Sequence, residues 1–155
     1  MDKLNLGCGN DILPGFINVD KYSDNPKVEK REVQEYLPTL PNNCIDFVKA
    51  HHVLEHIQDL DFVMQHIHRV CVNGSTIDIV VPLANTLWDC GNPDHKRKFN
   101  HKTFLYYTRD FITSDIGLFR GFDLVSQHLE REPDEWFEGV SWIVANLHVI
   151  LRVVK

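Results

Sequence analysis

Short apolar runs alternate with amphipathic stretches along the chain, and this alternation predicts its secondary structure. Residues 59–72 predict a helix, because apolar side chains recur there at spacings of three and four. A turn signal, Asn73 followed by Gly74, marks the predicted helix end. The runs that predict strands are residues 4–6, 16–20, 28–33, 45–50, 77–81, 122–129 and 147–154. Residues 83–101 predict a loop, and residues 104–112 predict a further helix.

The order of these elements predicts an α/β fold with a mostly parallel sheet. Strands that alternate with crossover segments favour parallel pairing, with helices against the sheet. Only nine residues separate Leu6 from Phe16, whereas a parallel crossover usually needs a dozen or more. We therefore expect the first crossover helix to be reduced to about one turn. The two late strands can pair antiparallel, and the length fits a single domain over residues 1–155.

Composition and charge narrow the classes of function. The net charge of −6 disfavours nucleic acid as a partner, because an acidic surface repels phosphate. No apolar run is long enough to span a bilayer, and no signal peptide is recognisable at the start. Four widely spaced cysteines without a CxxC pair argue against a zinc knuckle and for reduced thiols. These features predict a cytoplasmic protein without a membrane segment.

A glycine bend and an acidic strand end are the candidate ligand-binding features. Gly7, Cys8 and Gly9 follow the first predicted strand, and parallel-sheet proteins bind ligands outside the carboxyl ends of their strands. Asp20 ends the second strand, where a carboxylate can accept hydrogen bonds from both hydroxyls of a ribose. An ordinary exit turn and a solvated aspartate are the alternatives. The dinucleotide fingerprint is incomplete, because Ile12 replaces its third glycine.

Five segments in this order resemble one family. They are residues 4–9 (LNLGCG), 17–20 (INVD), 45–48 (IDFV), 52–56 (HVLEH) and 69–75 (RVCVNGS). Together they resemble the class I S-adenosylmethionine-dependent methyltransferases. The resemblance implies a Rossmann-like, mostly parallel seven-stranded sheet flanked by helices, with a C-terminal antiparallel hairpin. It also implies transfer of a methyl group from S-adenosyl-L-methionine to an acceptor, and our main hypothesis for the acceptor is a small molecule or an accessible polymer end, with the small molecule favoured.

The resemblance implies a cofactor site at the carboxyl ends of the first four strands. The bend after the first strand would surround the methionine part of the cofactor, and residues at the end of the second strand would hold its ribose. Residues after the third strand would contact the adenine, and residues at the end of the fourth strand would border the methionine and the sulfonium. In chain order these positions are Leu6, Gly7, Cys8 and Gly9; Asp20 and Lys21; Gln34 and Glu35; and Ala50 and His51.

Histidines supply the candidates for proton transfer. His56 could form hydrogen bonds near the cofactor, or could be purely structural. His95, in the loop after the fifth strand, could take a proton from an oxygen or nitrogen nucleophile, or could cap the structure that follows. His52, Glu55 and His56 also fit the H-x-x-E-H pattern of zinc peptidases. We expect no metal, because such short motifs often match by chance.

Two other functions remain open at this stage. A non-catalytic cofactor-binding or partner subunit would explain the short chain, whose substrate side lacks the N-terminal helices that the resemblance leads one to expect. A metallohydrolase would use the H-x-x-E-H segment. A protein partner or a homo-oligomer is compatible with either. The sequence names neither the methyl acceptor nor the atom that is methylated.

Overall fold

Seven strands form the framework of the described part of the chain. The computed structural model describes residues 1–109, 119–132 and 144–155. The strands are β1 (Asp2–Leu6), β2 (Phe16–Val19), β3 (Val28–Glu29), β4 (Ile45–His51), β5 (Cys71–Pro82), β6 (Phe122–Glu132) and β7 (Val144–Val153). The α-helices are α1 (Val33–Tyr36), α2 (Leu60–Val70) and α3 (Leu87–Gly91). Short 3₁₀ turns occur at Leu37–Thr39, Leu54–His56 and Phe104–Tyr107.

All seven strands join one sheet in the order β3-β2-β1-β4-β5-β7-β6. The first five pair parallel with their neighbours, whereas β7 is antiparallel to both β5 and β6. Because β1 lies at the centre of the parallel part, the strand order reverses between β1 and β4. The predicted mostly parallel α/β sheet with an antiparallel C-terminal pair is confirmed.

The helix α2 buries one apolar stripe against the sheet. Asp59 caps its first turn, because the carboxylate accepts the Phe62 N–H at 3.0 Å. The five apolar side chains of the predicted period are at most 3% exposed, and they are Leu60, Val63, Met64, Ile67 and Val70. They belong to a contiguous core that includes alternate residues of the strands. The predicted helix is confirmed in type and in the face that it buries.

The third strand and the helix α2 end earlier than predicted, by four and two residues. The third strand ends at Glu29 rather than at Val33, because β3 pairs only with β2 and β2 itself ends at Val19. Val33 instead begins α1. Helix α2 ends at Val70, two residues before the predicted end, because Cys71 pairs with the first residue of β4.

The turn signal after α2 lies inside a strand instead of ending the helix. Gly74 has a φ of +85°, and the pairing of β5 with β4 shifts register across this segment. Later in the chain, the predicted helix over 104–112 is a 3₁₀ turn at Phe104–Tyr107. Thr108 then bridges to Phe122 in extended conformation, and residues 110–112 lie outside the described part.

Two buried asparagines replace a helix in the first crossover. The described residues 7–15 contain no helix, not even the single turn that was predicted. Asn5 donates from Nδ2 to the Asp11 carbonyl at 2.7 Å and to Asn18 Oδ1 at 3.0 Å. Asn18 exchanges two hydrogen bonds of 3.0 Å with the backbone of Leu13. The loop backbone is thus satisfied by side chains, as buried polar groups must be.

The two faces of the sheet differ in character. The core face is apolar and fully buried. On the other face the strands carry polar and charged side chains that are only partly buried, among them Lys49, His51, Asp78 and His148. Within the described residues, the helices are too short or too polar for any of them to cross a bilayer.

Candidate functional site

The bend that follows β1 has a geometry that requires glycine. Gly7 and Gly9 have φ values of +63° and +50°, in the left-handed region that other residues rarely adopt. A Cβ on Gly7 would lie 2.5 Å from Val53 Cβ, because the segment after β4 packs directly on the bend. A Cβ on Gly9 would meet no atom within 4 Å. One glycine therefore permits close packing, and the other borders open space.

The carboxylate of Asp20 is attached to this bend. Its Oδ2 accepts the Gly9 N–H at 2.9 Å, and its Oδ1 accepts the Tyr22 and Ser23 N–H groups at 2.8 and 3.0 Å. The Cys8 N–H donates to the Val19 carbonyl at 3.1 Å, which closes the end of β2 against the bend. Because a carboxylate has about four acceptor positions and three are used here, Asp20 retains one on Oδ2 for a hydroxyl group of a ligand.

A cavity of about 280 Å³ opens beside the bend, close to the lower end of the range for small-molecule sites. It lies at the carboxyl ends of β1, β2, β3 and β4, where open parallel sheets bind their ligands. Its lining consists of Gly7, Gly9, Asp20, Lys21, Tyr22, Arg31, Glu32, Val33, His52, Val53, His56, Ile57 and Asp94. The mixture of apolar, aromatic and charged groups suits a ligand with both apolar and polar parts.

Charged groups on the cavity wall are paired with each other. Lys21 Nζ lies 3.1 Å from Glu32 Oε1 and 4.8 Å from the centre of the Tyr22 ring. Hydrogen bonds with Tyr22 and Glu32 raise the pKa of Lys21. The hydrogen bond from Lys96 lowers the pKa of Asp94, another lining residue. Both charges are therefore fixed at neutral pH.

The segment after β4 brings a histidine into the cavity. His52 has a φ of +52°, and its N–H donates to the Val80 carbonyl of β5 at 2.8 Å. This bend is followed by the 3₁₀ turn Leu54–His56. The His56 Nδ1 lies 3.3 Å from both the carbonyl oxygen and the Oδ2 of Asp94. The His95 ring packs edge-on against the His56 ring, with centres 5.0 Å apart.

Glu55 forms a buried support beneath these histidines. Its side chain is 2% exposed, with Oε1 3.5 Å from His52 Nδ1 and Oε2 without a hydrogen-bond partner among the described residues. Its carbonyl accepts the Lys96 and Arg97 N–H groups at 2.7 and 3.2 Å. These bonds hold the loop after β5 against the turn that carries His56.

The H-x-x-E-H interpretation fails on backbone geometry. It requires a helix that places His52 and His56 on one face, but the structure has a 3₁₀ turn that begins only at Leu54. His52 lies outside this turn in a left-handed conformation. The group of potential ligand atoms here comprises Glu55, His56 and His95 rather than both motif histidines. The metallohydrolase hypothesis is therefore withdrawn.

The structure brings together part of the residue set drawn from the sequence. Gly7, Gly9, Asp20, Lys21 and His56 line the cavity. Leu6, Cys8 and Ala50 are buried core residues, and burial together with the Asp20 charge raises the pKa of the Cys8 thiol. His95 contacts His56 from outside the lining. Gln34 and Glu35 lie on α1 outside the lining, and His51 contacts Asp78.

Most lining residues that the sequence analysis missed follow strand ends. Because β3 ends four residues earlier than predicted, Arg31, Glu32 and Val33 take the position at the cavity that was assigned to Gln34 and Glu35. Tyr22, His52, Val53, Ile57 and Asp94 also line the cavity. The usable signal was the end of β4, since the residues after a parallel strand lie at the ligand-binding edge.

Comparison with known proteins identifies the class. A family model described as a methyltransferase domain matches residues 4–79, which include the glycine bend and Asp20. No protein of curated function matches the chain significantly in sequence. The matched residues contain the strand ends that form the cavity. Residues 4–79 belong to the methyltransferase domain family, and the fold is that of the class I S-adenosylmethionine-dependent methyltransferases.

Solved structures agree in fold. A SAM-dependent methyltransferase from Archaeoglobus fulgidus is 18% identical with a TM-score of 0.66, and the match covers 97% of this chain and 85% of that one. The N-methyltransferase NodS from Bradyrhizobium japonicum is 10% identical with a TM-score of 0.64, covering 99% and 86%. A Haloferax volcanii methyltransferase, solved in complex with the Trm112 activator, is 12% identical with a TM-score of 0.65, covering 99% and 83%.

The class defines the cofactor as S-adenosyl-L-methionine, and the residues present fit it. The open space at the Cβ position of Gly9 leaves room for a ligand against the backbone. The Asp20 carboxylate lies beside that space, at 2.9 Å from the Gly9 nitrogen. This is the proximity that simultaneous binding of an amino-acid sulfonium and a ribose requires.

Proposed function

We propose that the chain transfers the methyl group of S-adenosyl-L-methionine to a small-molecule acceptor held in the cavity at the strand ends. The observation that carries the proposal is the attachment of the Asp20 carboxylate to the glycine bend. In this arrangement Asp20 accepts a ribose hydroxyl through Oδ2, the open space beside Gly9 admits the methionine part, and Val33 lies where adenine would pack. The acidic net charge favours a small molecule over nucleic acid.

Positioning is the main contribution that the protein makes to this reaction. The cofactor supplies an activated methyl group. Holding the two reactants in line is worth about 7–11 kcal/mol in favourable cases. His56 is a group on the cavity wall that can take a proton from the acceptor, since Asp94 engages its Nδ1 and leaves Nε2 for that role. His95 acts as a positioning residue through its contact with the His56 ring.

Titration calorimetry with S-adenosyl-L-methionine tests the assignment of the ribose site. Asp20→Asn keeps the shape of the side chain but removes its charge. Hydrogen bonds to a charged group contribute roughly 1.5–3 kcal/mol, so we expect the Kd to rise roughly 10- to 150-fold. Asp24→Asn is the matched control, because Asp24 is highly exposed and forms an ion pair with Lys30 away from the cavity lining. An unchanged Kd in a folded Asp20→Asn protein would refute the site.

Turnover separates the proposal from a non-catalytic partner subunit. Formation of S-adenosylhomocysteine is measured with panels of small amines, hydroxyl compounds and carboxylic acids. Product formation by the isolated chain that is lost in His56→Gln supports catalysis in this cavity. Tight cofactor binding without turnover on any panel would instead favour the non-catalytic partner subunit. The four free thiols suit action in a reducing compartment such as the cytoplasm.

A further inference from the structure

A second cluster of chemically active side chains lies on the partly exposed sheet face, outside the cofactor cavity. It comprises His51 at the end of β4, Asp78 in β5 and His148 in β7. His51 and His148 each pair with Val80, from opposite sides of β5. Asp78 precedes Val80 by two residues and therefore projects from the same face. Three strands thus place three ligand-type side chains together.

The distances between these groups match those around one metal ion. Asp78 Oδ1 lies 3.0 Å from His51 Nε2 and 2.7 Å from His148 Nε2. The three ligand atoms all lie within 4.8 Å of one another. Ligands about 2.0–2.1 Å from a tetrahedral zinc ion are about 3.3 Å apart. Small side-chain rotations would therefore allow all three atoms to bind one ion.

The surroundings of the cluster support ligation rather than simple hydrogen bonding. His51 Nε2 is buried and has no hydrogen bond of good geometry among the described residues. His148 Nδ1 lies 2.8 Å from Glu130 Oε1 of β6. A carboxylate that holds the Nδ1 of a histidine orients its ring, as is usual around metal-binding histidines, and a bound ion would replace the present hydrogen bond between His148 Nε2 and Asp78.

We propose that His51, Asp78 and His148 form a binding site for a divalent transition metal of the zinc type, with Glu130 orienting His148. Two imidazoles and a carboxylate are a ligand set that zinc and iron accept. The three side chains remain 20–31% exposed, so an ion can enter from solvent and water can complete the coordination. The site is independent of the methyl acceptor, and it differs from the metal-free expectation of the sequence analysis.

Cobalt serves as the probe, because tetrahedral Co²⁺ absorbs visible light whereas Zn²⁺ does not. Chelator-treated, untagged protein is titrated with CoCl₂, and then with ZnCl₂ as competitor. We expect a saturable visible band at one equivalent, displaced by zinc, together with a metal-dependent rise in Tm. Asp78→Asn and His148→Gln should each remove the band. Glu130→Gln should weaken binding roughly 10- to 100-fold.

His128→Gln is the matched control. His128 Nε2 lies 3.4 Å from the same Glu130 carboxylate but belongs to no ligand set with His51. Its replacement should leave the cobalt band unchanged. The proposal is overturned if the wild type shows no saturable band, or if folded Asp78→Asn and His148→Gln bind cobalt as the wild type does. It is equally overturned if His128→Gln removes the band while His51→Gln keeps it.

Discussion

Replacement of Gly7 by alanine measures how tightly the segment after β4 packs on the glycine bend. The new Cβ would lie 2.5 Å from Val53 Cβ, a branched side chain next to the backbone. Overpacking of this kind costs about 1–3 kcal/mol. The left-handed conformation raises the cost of the alanine by about 1–2 kcal/mol. Alanine also restricts the unfolded chain, which lowers the cost by about 0.4–1 kcal/mol.

Gly15→Ala supplies the reference for the conformational part. Gly15 has a φ of +79°, and a Cβ there would meet nothing within 4 Å. The two variants therefore share the conformational terms, and their difference isolates the contact with Val53. We expect Gly7→Ala to be less stable than Gly15→Ala by about 1–3 kcal/mol. With an m-value of about 2 kcal/mol/M in urea, the unfolding midpoint of Gly7→Ala should lie roughly 0.5–1.5 M urea below that of Gly15→Ala.

Gly9→Ala separates folding from binding in the same loop. Its Cβ would point into open space, so its stability should resemble that of Gly15→Ala while its affinity for S-adenosyl-L-methionine falls. Urea unfolding followed by circular dichroism gives the stabilities, and calorimetry gives the Kd. Equal stabilities of Gly7→Ala and Gly15→Ala would refute the packing argument. An unchanged Kd in Gly9→Ala would refute the assignment of the open space to the cofactor.

Two further predictions concern titratable groups away from the cavity. Burial lowers the pKa of His68, whose Nε2 lies 2.8 Å from the Val154 carbonyl. The unfolded chain therefore binds a proton more readily, and stability should fall as pH drops through about 6.5; His68→Gln should flatten this dependence in urea unfolding at several pH values. Burial raises the pKa of Cys71 to about 12, so iodoacetamide should alkylate exposed Cys90 in the native protein and Cys71 only in denaturant.

Controls make both results decisive. His101→Gln removes an exposed histidine and should leave the pH dependence of stability as in the wild type. An undiminished acid dependence in His68→Gln would contradict the first prediction. For the thiols, peptide mapping by mass spectrometry after timed alkylation identifies each site. Native-state labelling of Cys71 at a rate similar to that of Cys90 would contradict the second.

Features encoded by neighbouring residues could be predicted from the sequence. The glycine bend, the aspartate at the end of β2 and the buried stripe of α2 each depend on local pattern. The end of β3 could not be predicted, because it depends on where its pairing partner β2 stops. The Asn5–Asn18 pair that replaces the first crossover helix was also missed, since an isolated asparagine gives no sign of which backbone groups it will satisfy.

The part of the candidate site that depends on local sequence pattern could be predicted, and the rest could not. Gly7, Gly9 and Asp20 lie at the cavity because strand ends of a parallel sheet meet there. Gln34 and Glu35 lie on α1 outside the cavity lining, because β3 ends earlier than predicted. The cluster of His51, Asp78 and His148 was beyond sequence reasoning, because its members are separated by up to 97 residues and meet only through the strand order β4-β5-β7.

The position of β7 has a consequence for how the protein matures. This strand comes last in the sequence, yet it lies between β5 and β6 and buries Leu147, Val149 and Leu151 completely or nearly so. A nascent chain that still holds residues 144–153 inside the ribosome must leave the hydrogen-bonding edge of β5 open. Until those residues have emerged, the growing polypeptide exposes an unpaired strand edge, at which chaperones can bind or aggregation can begin.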